Sequence, residues 1–114
     1  MTLKNKTLQV DTTQAEVDMT RPQPCMQWAE HTMAWMDKLF EEIDEVLDEW
    51  ELLVCKSIQN DERLRKERED KLAEELTDVI TVCTSWLNGL GYNEEDRKEL
   101  QRKVNEKNKV LGYW

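Results

Sequence analysis

The chain has 114 residues and a mass of 13.6 kDa, which fits one domain with a single modest core. Charged residues make up 36% of it and the formal net charge is −9, which argues against nucleic acid as a partner because phosphate binding needs a basic surface. No apolar run approaches the roughly 18–20 residues of a membrane span, and the N-terminus lacks a hydrophobic signal core. We therefore expect a cytoplasmic protein with no membrane partner.

The first 24 residues are polar and end in Arg21-Pro-Gln-Pro24, so residues 1–24 predict an irregular N-terminal arm. Residues 25–88 contain neither Gly nor Pro, which is a strong indication of helix. We expect residues 25–114 to form a single all-α domain whose first helix runs from about Gln27 to about Ser57. The positions of its stripe recur every three or four residues: Trp28, Thr32, Trp35, Leu39, Ile43, Val46, Trp50 and Leu53.

Two further helices follow. A turn at Gln59-Asn60-Asp61 precedes the second helix, which carries a charged stretch into an apolar stripe and ends at Gly89 and Gly91. Asn93 is a candidate N-cap, and the third helix then runs to about Asn108. The stripe of the second helix is Leu72, Leu76, Val79, Cys83, Trp86 and Leu90.

Two observations bear on packing and compartment. The first helix has a second apolar row (Met36, Phe40, Leu47 and Val54), and three helices with such wide apolar arcs predict a helical bundle of long helices completed by oligomerisation. The three cysteines lack CxxC spacing, and Cys55 and Cys83 lie within apolar pattern. We expect these two to be small core residues of a protein in a reducing compartment.

The acidic residues are concentrated in the first helix, where seven acids and no base lie between Glu41 and Glu51. On a helical wheel, Glu42 and Glu45 fall about 60° and 120° to one side of the apolar stripe. On the second helix, Glu75 and Asp78 take the same angles, so packing of the two stripes brings two carboxylate pairs together. The remaining acids that should face solvent are Glu41, Asp44, Asp48 and Glu51 on the first helix and Glu74 on the second.

Four clustered carboxylates repel one another unless a cation is present. Mg²⁺ suits oxygen ligands and typically binds substrate phosphates as well. Two interpretations follow from the residues alone: a Mg²⁺ site for phosphoryl chemistry, or a solvated acidic face of the kind that chance supplies in a helical chain with 25 acids.

Four blocks of the sequence, in order over about residues 27–113, together resemble a known enzyme family. They are Gln27-Trp28-Ala-Glu-His31, Lys38-Leu-Phe-Glu41-Glu42-Ile-Asp-Glu45, Glu74-Glu75-Leu-Thr-Asp78 and Lys103-Val-Asn-Glu-Lys107-Asn108-Lys-Val-Leu111-Gly112-Tyr113. The central two resemble the E-x-x-E … E-x-x-D signature of MazG-like all-α nucleoside triphosphate pyrophosphohydrolases, and the last is similar to their closing K-x-x-x-K-N-x-x-R-G-Y.

The resemblance implies an all-α NTP pyrophosphatase-like fold, assembly as a homodimer or homotetramer, and house-cleaning of the nucleotide pool. The implied reaction is Mg²⁺-dependent hydrolysis of a (deoxy)nucleoside triphosphate to the monophosphate and pyrophosphate, with Mn²⁺ as a substitute cofactor. The implied metal ligands are Glu42, Glu45, Glu75 and Asp78, and the implied catalytic acids are Glu41, Glu42 and Glu45, of which Glu41 or Glu45 orients the attacking water. The implied substrate contacts are Trp28, His31, Lys38, Lys107 and Asn108.

Some residues leave alternatives open. Lys38 either pairs with Glu42 or Glu45 or contacts phosphate, while Trp28 and His31 suit a core or edge position as well as a nucleotide pocket. Leu111 replaces the arginine of the family pattern, and Asp44 replaces a small residue. The main alternative function is a non-catalytic acidic helical module for protein interaction. A family member that has lost catalysis is a third possibility.

Overall fold

The structure, a computed structural model, describes residues 17–25 and 32–114, and every regular element in these ranges is a helix. The elements are α1 (Thr32–Leu53), α2 (Lys56–Gln59), α3 (Glu62–Gly89) and α4 (Glu94–Val110). The predicted all-α class is therefore confirmed for the described part of the chain. None of its helices is long and apolar enough to cross a membrane.

The first predicted helix ends earlier than expected. We predicted continuation to about Ser57, but α1 stops at Leu53 because Cys55 has an extended backbone, with φ −63° and ψ 138°. The Gln59 side chain donates a 2.6 Å hydrogen bond to the Leu53 carbonyl and so satisfies an acceptor that the helix leaves open. The predicted start near Gln27 lies outside the described residues.

The positions at which α3 and α4 begin agree with the sequence prediction. Asp61 caps α3, and its carboxylate accepts a 3.1 Å hydrogen bond from the Leu64 amide. Asn93 caps α4 as predicted. Its side chain accepts from the Asp96 amide at 2.9 Å and the Asp96 carboxylate accepts from the Asn93 amide at 3.1 Å, which completes a capping box.

The helices α1 and α3 form an antiparallel pair that contains the core. Glu49 pairs with Arg68 toward one end of the pair, and Trp35 packs against Gly89 at the other. Trp35 and Val82 are the buried hydrophobic residues of the described chain. The core that the described residues form is therefore very small.

Packing of α3 differs from the predicted stripe. Val82 and Ser85 are buried, whereas Leu76 is 48% exposed and Cys83 is also exposed. The buried face of α3 is rotated toward its acidic side, so the prediction of Cys83 as a core residue is wrong. The prediction for Cys55 is also wrong, since this residue lies exposed in the turn that ends α1.

The last helix, α4, packs only sparsely against α1 and α3. Gly91, with φ +99°, allows the sharp turn between α3 and α4, and the Tyr92 amide bonds the Leu87 carbonyl at 3.0 Å across it. α4 therefore adds little to the core of the described residues.

Residues 17–25, which comprise the described part of the N-terminal arm and Cys25, contain no helix but make specific contacts. Arg21 pairs with Glu94 at the start of α4. The Cys25 amide donates a 2.7 Å hydrogen bond to the buried Ser85 hydroxyl of α3. These contacts connect the arm to the end of the molecule where α3 turns into α4.

Candidate metal centre

Four carboxylates meet along one edge of the α1–α3 pair. Each of Glu42, Glu45, Glu75 and Asp78 offers one oxygen, and these four oxygens lie within 4.8 Å of one another. The i, i+3 spacing places both acids of a pair on one helix face, and antiparallel packing then sets the two pairs opposite each other. The predicted convergence of these residues is confirmed.

The cluster runs from the interior of the protomer to its surface. Glu42 is 6% exposed and Asp78 is exposed, with Glu75 between them. A carboxylate as buried as Glu42 needs a compensating charge or a proton, because burial disfavours its ionised form. The open side at Asp78 leaves room for a ligand to approach from solvent.

Lys38 supplies part of the compensation. It lies one turn before Glu42 on α1, and its Nζ is 3.0 Å from a Glu42 oxygen and 2.9 Å from a Glu41 oxygen. The hydrogen bonds to Glu41 and then to Glu42 raise the pKa of Lys38 above its usual range, so the ammonium stays charged. Of the two roles open to Lys38, the ion pair with Glu42 is the one present here.

Within residues 17–25 and 32–114, no lysine or arginine forms an ion pair with Glu45, Glu75 or Asp78. The pKa of Glu75 is raised above its usual value, first by loss of solvent around the carboxyl, then by a hydrogen bond with Asp78 and by the charge of Glu45. Carboxylates that share a hydrogen bond in this way bind protons more tightly when no other cation is near. This proton affinity marks a place where a metal ion would be stabilising.

The donor set fits a hard divalent cation. Mg²⁺ and Ca²⁺ both prefer carboxylate oxygens, and soft metals would select thiolate or imidazole ligands instead. Opposite oxygens around an octahedral Mg²⁺ lie about 4.2 Å apart, so the widest separation here needs to close by about half an ångström. Rotation of the more exposed side chains, such as Asp78, provides that adjustment.

The structure separates the other predicted site residues. Glu41 is 59% exposed on its side chain and reaches Lys38 rather than the cluster. Lys107 and Asn108 are on α4, which the protomer does not bring against the acidic edge. Trp28 and His31 lie outside the described residues. As predicted, the solvent-facing acids Asp44, Asp48, Glu51 and Glu74 are exposed.

Two residues beside the cluster were not predicted as site residues. Glu49 continues the row of Glu42 and Glu45 one turn further along α1, and its side chain is only 15% exposed. Arg68 of α3 reaches it, with Nη1 3.5 Å from Glu49 Oε1. The angular position of Glu49 was a usable signal, but Arg68 lies in a charged stretch in which no spacing distinguishes it from its neighbours.

Comparison with known proteins adds no relative. No protein-family model matches the chain, and neither the curated proteins nor the solved structures contain a match to it.

Proposed function

We propose that this protein is a divalent-cation-dependent nucleoside triphosphate pyrophosphohydrolase of the MazG-like type. The observation that carries the proposal is the meeting of four carboxylates on two helices, with oxygens within 4.8 Å of one another and one of the acids buried. The order of the sequence blocks around Glu42, Glu45, Glu75 and Asp78 supplies the reaction class.

In this proposal the four acids hold Mg²⁺, or Mn²⁺ in its place, at the triphosphate. When bound, the ion supplies Lewis-acid stabilisation of phosphate charge and lowers the pKa of water. Glu45, toward the open side, accepts a proton from the attacking water, while the ion pair with Lys38 orients Glu42. The products are a nucleoside monophosphate and pyrophosphate.

We further propose that the working form is a homodimer or homotetramer. The edge of the α1–α3 pair opposite the carboxylates exposes four large apolar residues: Phe40 (58%), Leu47 (49%), Leu76 (48%) and Ile80 (51%). A second copy on this edge would complete the core and could also bring α4, with Lys107 and Asn108, to the nucleotide.

The direct test is a screen for pyrophosphate release from the ribo- and deoxyribonucleoside triphosphates with Mg²⁺ or Mn²⁺. We expect turnover of at least one nucleotide, and a loss of about a hundredfold or more in Asp78→Asn, because that change removes a charged ligand. Asp44→Asn is the matched control, since Asp44 is an exposed acid that lies off the cluster.

Two results would refute the proposal. One is the absence of pyrophosphate release from every nucleotide with either ion. The other is equal activity of Asp78→Asn and Asp44→Asn. No pyrophosphate release from any nucleotide, together with an assembly that neither substitution changes, would instead favour the non-catalytic interaction module.

A further inference from the structure

Helix α1 carries a row of charged side chains whose partners differ from one end of the row to the other. Lys38, Glu42, Glu45 and Glu49 are spaced by four, three and four residues, so they share one face of the helix. Glu42 and Glu45 belong to the carboxylate cluster, whereas Glu49 is paired with Arg68 of α3. Glu49 is thus a fifth acid of the same edge, and it forms an ion pair with Arg68 instead of belonging to the cluster.

Arg68 stands at a defined distance from the cluster on its own helix. It precedes Glu75 by seven residues, which is two helical turns and about 10.5 Å along the axis. Lys38 lies at the opposite end, one turn before Glu42. Lys71, one turn before Glu75, is paired at 3.2 Å with an exposed acid of its own helix. The edge therefore has Lys38 at one end and Arg68 toward the other, with the carboxylates of the cluster between them, a layout that suits an elongated anion bound through a central metal ion.

The two cations differ in how firmly the protein holds them. Lys38 is bound by two carboxylates at 2.9 and 3.0 Å, whereas the Arg68 guanidinium is 3.5 Å from one oxygen of Glu49. The two side chains are similarly exposed, at 35% and 40%. A guanidinium has five N–H donors in a planar fork that matches phosphate oxygens. Arg68 is thus the cation with hydrogen-bond donors to spare.

We propose that Arg68 binds the terminal phosphates of the substrate, the half that leaves as pyrophosphate, and exchanges its contact with Glu49 for phosphate oxygens. This inference rests on the proposed function, because it assigns a subsite of the same site. The terminal half of a triphosphate has the greatest negative charge. In this arrangement it contacts Arg68, which the protein holds less firmly than Lys38. Glu49 keeps the guanidinium at the edge between turnovers.

The test compares binding of Mg²⁺-pyrophosphate, measured by titration calorimetry, in three variants of the full chain. Arg68→Gln should weaken binding about tenfold to a hundredfold, the range of a charged hydrogen bond. Glu49→Gln should bind as tightly as wild type or more tightly, since it frees the guanidinium. Arg63→Gln, an exposed arginine of the same helix, should bind as wild type does.

A purely structural ion pair predicts a different pattern, namely equal weakening in Arg68→Gln and Glu49→Gln. That result, or wild-type affinity in Arg68→Gln, overturns the inference while the proposed function stands on wild-type turnover. If the wild-type protein neither binds Mg²⁺-pyrophosphate nor releases pyrophosphate from any nucleotide, the proposed function and this inference fail together.

Discussion

The two edges of the α1–α3 pair have opposite chemistry. On one edge four carboxylates converge within 4.8 Å, and on the other Phe40, Leu47 and Ile80 are each about half exposed. Both edges are costly for an isolated protomer, one through charge repulsion and the other through exposed apolar surface. We infer that each edge is shaped for a ligand that the single chain lacks, a cation in one case and a second copy in the other.

The largest expected effect is on the acidic edge. Glu42→Gln should reduce kcat/KM for pyrophosphate release about a hundredfold to a thousandfold, because it removes the buried ligand of the cluster. Glu41→Gln serves as the comparison, since Glu41 shares Lys38 with Glu42 but lies outside the cluster. We expect Glu41→Gln to reduce kcat/KM by about tenfold or less, which would agree with a role for Glu41 in orienting water and not in binding the metal. Equal losses in both would show that the Lys38 contact matters and that the cluster does not.

The apolar edge should govern assembly. Phe40→Glu or Leu47→Glu should convert an oligomer into monomers in sedimentation velocity, because a charge placed in a buried interface is strongly destabilising. Leu52→Glu is the matched control, since Leu52 is similarly exposed, at 43%, and lies about 120–140° around α1 from Phe40 and Leu47. A wild-type protein that sediments as a monomer at micromolar concentration would contradict this part of the account.

The core between the two edges should be sensitive at Gly89. A Cβ there would lie 3.0 Å from a ring carbon of the buried Trp35, so Gly89→Ala should lower the free energy of unfolding by about 1–3 kcal/mol. Chemical denaturation measures this. The double variant Trp35→Phe/Gly89→Ala should be less destabilised than the sum of the single variants, because the smaller ring leaves space for the methyl group. Strict additivity would mean that the two residues do not contact each other.

The smallest expected effect is the pH dependence of the acidic edge without metal. The pKa of Glu75 is raised in the folded protein, so the folded state binds this proton more tightly than the unfolded chain does. The free energy of unfolding should therefore fall as the pH rises from below the ordinary pKa of 4.5 through the folded-state value. Glu75→Gln should flatten this part of the profile of Tm against pH. An unchanged slope would show that the carboxyl is not perturbed.

The long helices and the two carboxylate pairs were predictable because the sequence patterns that indicate them are local. Asn93 with Asp96 is a capping box in sequence as well as in structure, and the i, i+3 spacing of Glu75 and Asp78 fixes their common face. The helical wheel needs only the approximate direction of the apolar stripe to bring such pairs together.

What the sequence did not predict depends on contacts between distant segments. The rotation of α3 that buries Val82 and exposes Cys83 follows from packing against α1, and residues 72–90 alone offered an equally apolar stripe. The end of α1 at Leu53 depends on the side chain of Gln59 and the extended backbone at Cys55, in a stretch with no Gly or Pro. Arg68 gained significance only when α3 placed it against Glu49.

The central claim is that Glu42, Glu45, Glu75 and Asp78 form a metal site, and a Mn²⁺ titration observed through the free-ion EPR signal tests it most directly. We predict one saturable site per protomer in wild type, displaced by Mg²⁺, with affinity weakened about tenfold or more in Asp78→Asn and unchanged in Asp44→Asn. Equal Mn²⁺ affinity in all three proteins, or no saturable binding in wild type, would contradict the account.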